Sequence, residues 1–166
     1  MQSDWSIEGE PAQFLQEYAV AGTAEEREKF VESLRRLETS GAGQPTAEAI
    51  QEHDTVIRFG PTEEGAIAQF DPETNEITIN EDLKSVSHSV LAAHLAHEGT
   101  HVQWDQPDSI DQEYRAFKAQ AEVWKQVKEN ETDRQCDRVV EMIAKGEKVA
   151  KEMLRRFYPD LPEYWH

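Results

Sequence analysis

The chain has 166 residues, with 34 acidic against 17 basic side chains and a formal net charge of −17. That length suits one domain, and the charge repels phosphate backbones, which argues against a nucleic-acid binder. No apolar run approaches the roughly 18–20 residues of a membrane span. No basic-then-apolar leader opens the sequence, and Cys136, the single cysteine, has no internal disulfide partner. The expected setting is therefore a reducing cytoplasm, without membrane attachment. The acid is concentrated early: 19 of the 34 carboxylates but 5 of the 17 bases precede residue 84. Such a half is expected to be a solvated surface, or a field that draws basic partners and cations.

The first elements read as helices. Pro11 suits a first helical turn, and Phe14, Leu15, Tyr18 and Ala19 share a face. Gly22 interrupts, and Thr23 with Glu26 forms the pattern of a capping box ahead of the stripe Phe30, Val31, Leu34 and Leu37. The stretch 40–45 is a breaker, followed by a short helix from Thr46 to about Glu52. Three strands are expected at 55–59, 66–70 and 76–80, the last two joined by the turn-forming Asp71-Pro72-Glu73-Thr74-Asn75. Ile77 and Ile79 alternate with polar neighbours, so one face of that strand is expected to be buried.

The remainder reads as helical. Ser85 or Ser87 can cap a helix reaching about Trp104, Pro107 breaks it, and Asp108 or Ser109 caps the next, to about Glu129. Thr132 opens a further helical stretch that Gly146 is expected to kink or split. Cys136, amid charged neighbours and without a paired base, reads as structural.

Chemistry concentrates in His97-Glu98-Gly99-Thr100-His101. Positions i and i+4 lie one helical turn apart, so two imidazoles converge on one metal ion. A glutamate beside the first histidine can take a proton from a metal-activated water, which assigns Glu98 as the general base. The motif lies in a helix expected to be amphipathic. Pro107 occupies the site where one extended histidine motif would place its third ligand, leaving a carboxylate as the economical choice, with zinc the default metal. A reversal at Pro107 would bring Glu113 back over the histidines; Asp111 and Glu122 are the alternatives, although Glu122, nine positions on, is about 180° around the helix. His94 is too far along the axis to share an ion with His101 and reads as packed core or a supporting residue. His53 and His88 read as surface residues. Gly99 in a helix suggests either close approach by a neighbouring backbone or substrate, or simple tolerance.

The motif and the following Glu113-Tyr114-Arg115-Ala116 resemble the gluzincin-type zinc metallopeptidases, in particular the compact minigluzincins, across roughly residues 55–128. The resemblance implies an α+β, zincin-like fold: a small twisted sheet packed on an active-site helix, with surrounding helices. With the breaker at 40–45 as the boundary, a helical segment at 1–44 and a zincin-like metallopeptidase domain at 45–166 are expected, packed as one unit. The resemblance further implies zinc held by His97, His101 and Glu113, peptide-bond hydrolysis with Glu98 as base, and an extended peptide or protein substrate pairing with an edge strand. The rival reading is a zinc-binding regulatory or interaction module that cleaves poorly. One departure is Phe117, where many gluzincins carry an acid that orients a histidine; a backbone carbonyl is the expected substitute. Tyr114, Tyr158, Tyr164 and His94 are candidate transition-state donors. The aromatic C-terminal segment is expected to pack on the core; in some minigluzincins such a segment blocks the cleft, which here would bring Asp160, Glu163 or His166 toward the metal.

Overall fold

The computed structural model describes residues 18–104 and 106–164. In chain order these form β1 (Ala19–Val20), α1 (Ala24–Thr39), α2 (Gln44–Glu52), β2 (Val56–Gly60), β3 (Ala68–Asp71), β4 (Glu76–Asn80), a single 3-10 turn (Glu81–Leu83), α3 (His88–Gln103), α4 (Ile110–Val127), α5 (Arg134–Ala144) and α6 (Glu147–Phe157). The architecture is α+β. The strands form one sheet in the order β1-β2-β4-β3, with β1, β2 and β4 parallel and β3 antiparallel to β4.

At Ala19 and Val20 the chain departs from the helical expectation. Pro11, Phe14 and Leu15 lie outside the described residues, but Ala19 and Val20 pair with Val56 and Ile57 as a strand. Tyr18 is buried, and its hydroxyl donates to Glu38 Oε1 at 2.7 Å. At positions 18 and 19 a buried side chain beside a strand replaces the expected helix face, a case of tertiary pairing overriding a short-range pattern.

Local chemistry explains the other boundaries. The Thr23 hydroxyl accepts from Glu26 N and the Glu26 carboxylate accepts from Thr23 N, completing the capping box at α1. The breaker at 40–45 is a tight turn: Ser40 donates to Leu37 O and accepts from Gly43 N, so α2 starts at once. Ser87, Ser109 and Asp133 cap α3, α4 and α5; the α5 cap is thus one residue beyond the expected Thr132. Gly146, at φ +99°, separates α5 from α6 in a conformation that L side chains rarely adopt.

One apolar cluster joins α1, α2, the sheet and α3 through Phe30, Leu34, Leu37, Ile50, Ile57, Ile77, Ile79, Leu91 and Leu95, all nearly or fully buried. Helix α3 is not the amphipathic helix expected from its sequence: every residue from Ser89 to Thr100 is buried. Its small residues Ala92, Ala93, Ala96 and Gly99 let neighbours approach on all sides, so it is a central helix. Gly99 shows the reason for its lack of a side chain. A Cβ there would lie 2.9 Å from Thr46 Cβ and 3.1 Å from the Thr46 carbonyl oxygen, so α2 crosses α3 at this residue.

Candidate metal centre

Helix α3 presents His97 and His101 from successive turns, with ring centroids 5.2 Å apart. After the break at Pro107, α4 runs back beside α3 and carries Glu113 in its first turn. Glu113 Oε2 lies 3.2 Å from His101 Nε2, and Oε1 lies 3.4 Å from His97 Nε2. One ligand atom from each residue falls within 4.8 Å of the others, so His97, His101 and Glu113 form a group able to hold a metal ion. The carboxylate is buried, and the contact with His97 lacks hydrogen-bond geometry. Oε1 of Glu113 is consequently buried without a hydrogen-bond partner. Leaving such an oxygen unsatisfied is costly; a cation between it and the two imidazole nitrogens removes that cost. The donor set of two imidazoles and a carboxylate fits a divalent transition metal.

The alternatives for the third ligand have other employment. Asp111 pairs with Lys151 at 3.0 Å and Arg115 at 3.1 Å. Glu122 is exposed on the far side of α4, as its spacing implied. His94 is buried one turn before His97, and burial together with the neighbouring His97 pushes its imidazole down to about 4, against a smaller opposing pull from Asp133. His53 is exposed and His88 half-buried.

Charge inside the site follows from burial. Glu98 is buried, and desolvation raises its pKa, opposed by His97 and His101 and reinforced by Glu113. Burial acts to raise the pKa of Glu113 too, yet contact with His101 and His97 outweighs it and holds that carboxyl well below the usual range. His101 is pushed up to about 10: burial works against protonation, and Glu113 overcomes it. Asp108, at the mouth, is pushed up to about 8 by burial and by Glu113.

Two side-chain amides face the outer ring nitrogens of the histidines. Gln120 Oε1 lies 3.1 Å from His97 Nδ1, and Gln112 Oε1 lies 2.6 Å from His101 Nδ1. The expected backbone carbonyl is therefore replaced by two side-chain amides. Gln120 was foreseeable as a neighbour, because it is seven residues from Glu113 and shares its helix face; Gln112 depends on how the turn before α4 closes. Phe117, in the departed position, packs edge-on against the His97 ring at 4.4 Å between centroids.

A cleft of about 800 Å³ opens over these groups. Its walls include Ala68, Gln69 and Phe70 of the edge strand β3 on one side and Trp104, Asp108 and Tyr158 on the other. The β3–β4 turn is anchored near the site by Asn75, which donates to His53 O at 2.7 Å and accepts from the Thr55 hydroxyl at 2.9 Å. Of the four donor candidates, Tyr158 lines the cleft; burial, then the negative charges of Glu113, Asp108 and Glu98, raise its pKa and keep its hydroxyl protonated. Tyr114 is buried in the cluster with Ile110, Met142 and Leu154, and Tyr164 is exposed beneath Lys151.

The C-terminal segment docks on the first turn of α4. Ile110 N and Asp111 N donate to the carbonyls of Pro162 and Glu163 at 2.8 and 3.1 Å, supplying acceptors that a helix start needs. Glu163 pairs with Arg155 through two hydrogen bonds of 2.7 and 2.8 Å, and Asp160 is exposed; neither lines the cleft. His166 lies outside the described residues. Among the described residues, no helix is long and apolar enough to cross a membrane. No family model, curated protein or solved structure matches this chain.

Proposed function

We propose that this chain is a zinc-dependent peptidase with a zincin-like arrangement of the gluzincin type. The observation that carries the reading is the buried Glu113 carboxylate, with one oxygen unpartnered, facing the Nε2 atoms of His97 and His101. These three residues would hold the ion. Bound there, zinc supplies Lewis acidity, lowering the pKa of a coordinated water toward ~7 and polarising a peptide carbonyl.

The protein's own groups supply the rest. Glu98 follows His97 on α3 and lines the same cleft, and its raised pKa suits a base that accepts a proton from the attacking water and delivers it to the leaving amine. The neutral Tyr158 hydroxyl can donate to the carbonyl oxygen as negative charge develops on it. Among the described residues, strand β3 pairs with β4 along one edge only, so its outer edge offers backbone donors and acceptors to an extended peptide.

The experiment is a comparison of wild type with Glu98→Gln on a library of unstructured peptides, with a chelator control. The expected result is chelator-sensitive cleavage by wild type, lost in Glu98→Gln while zinc stoichiometry is retained. Indistinguishable behaviour of the two across the library would contradict the peptidase reading and leave a zinc-binding interaction module.

A further inference from the structure

The two glutamines behind the histidines are themselves held in a fixed sense. Gln120 turns Oε1 toward His97 Nδ1, while its Nε2 donates to Cys136 Sγ at 3.9 Å. Gln112 turns Oε1 toward His101 Nδ1, while its Nε2 donates to the Gln106 carbonyl at 3.4 Å. A carboxamide has an acceptor end and a donor end, so rotating it by 180° exchanges both roles and loses both contacts. Gln112, Gln120 and Cys136 are all buried, leaving little access for water to satisfy a reversed amide.

From this arrangement we infer that Gln112 and Gln120 are positioning residues of the metal centre. Each presents a carbonyl oxygen that only a protonated Nδ1 can use. Each therefore keeps a proton on Nδ1, leaving Nε2, the nitrogen that faces Glu113, as the one that would bind a metal ion. The inference rests on the metal-binding reading and adds the way in which its nitrogen ligands are set. Cys136 and the Gln106 carbonyl act one step further out, by fixing which end of each amide faces the ring. The choice of amides over carboxylates has an electrostatic reason. Glu98 and Glu113 are already buried together and Asp108 Oδ1 lies 3.9 Å from His101 Nδ1, so a further buried carboxylate would add like-charge repulsion. Neutral oxygens orient the rings without adding one. Phe117 holds the His97 ring from its edge and leaves the orienting hydrogen bond to Gln120.

The test uses the full chain and zinc chloride, with affinity read by chelator competition and ring-nitrogen states read by long-range proton–nitrogen NMR of the zinc-loaded protein. Wild type should show zinc on Nε2 and a proton on Nδ1 of both His97 and His101. Gln120→Leu should lower zinc affinity by about 10- to 100-fold and remove the protected Nδ1 proton of His97 but not of His101. Gln112→Leu should give the reciprocal pattern. Gln120→Glu keeps an acceptor and should recover the affinity. Urea unfolding in chelator identifies any variant that fails to fold, and in that case Gln120→Glu and the wild-type NMR pattern decide. Leucine variants that bind zinc as wild type does, a glutamate variant no better than leucine, or zinc on Nδ1 would each overturn the inference. A wild-type chain that binds no zinc would instead reject the metal reading on which it rests.

Discussion

Gly99→Ala is the substitution whose consequence is most fully set by geometry. The added methyl would sit 2.9 Å from Thr46 Cβ, 3.1 Å from the Thr46 carbonyl oxygen and 3.2 Å from Ile50 Cδ1, whereas carbon atoms pack best at about 3.5–4.0 Å. The Ile50 methyl can move, but the two Thr46 atoms belong to the start of α2, where the Thr46 hydroxyl donates to Gly43 O at 2.9 Å. Relief requires α2 to shift against α3. Alanine gains about 1 kcal/mol of helix propensity over glycine, and overpacking costs about 1–3 kcal/mol. Because backbone must move, the second effect should win, for a net loss of about 1 kcal/mol. Measured in chelator, so that bound metal adds nothing, the urea midpoint should fall by roughly 0.5 M. Zinc affinity should fall as well, since Gly99 lies between Glu98 and His101 on the helix that carries both. An unchanged or raised midpoint would refute the claim that close approach of α2 requires glycine here.

Removing the Tyr158 hydroxyl as phenylalanine should lower kcat by about 10²- to 10³-fold with KM little altered; an unchanged kcat in steady-state assays would return the donor role to other groups. His94 makes a stability prediction. Its folded value of about 4 lies below the unfolded value near 6.5, so the unfolded chain binds more protons between those limits. The stabilisation is full above about pH 6.5 and is lost as pH falls toward 4, amounting to about 2 kcal/mol by pH 5. In chelator, His94→Leu should therefore lose less stability than wild type between pH 7 and pH 5; parallel losses would contradict the burial argument.

The parts of the site that were legible in sequence are those set by helical period. His97 and His101 at i and i+4, with Glu98 between them, needed only the knowledge that this stretch is a helix. Glu113 followed from a chain reversal at Pro107, which Ser109 capping α4 supports. The strands expected at 55–59, 66–70 and 76–80 fall at 56–60, 68–71 and 76–80, and these with the capping box at Thr23 were written in turn chemistry and alternation. What was not legible depended on long-range pairing. Ala19 and Val20 become a strand only because β2 offers an open edge, and α3 is enclosed because the sheet and the helices α1, α2, α4 and α5 pack around it. The parallel placement of β2 beside β4, with β3 outermost, has no local signal, and it decides which strand edges the cleft. The glutamine partners of the histidines were hidden for a similar reason. A buried glutamine has no spacing rule of its own, and its role appears only when the ring nitrogen it faces is known.

Metal binding at His97, His101 and Glu113 is tested by titrating the purified, metal-stripped chain with zinc, in parallel with His97→Ala and Glu113→Ala. Wild type should bind one zinc per chain, and both variants, each still folded in chelator, should lose that site. No binding by wild type, or undiminished binding by a folded Glu113→Ala chain, would contradict metal binding there.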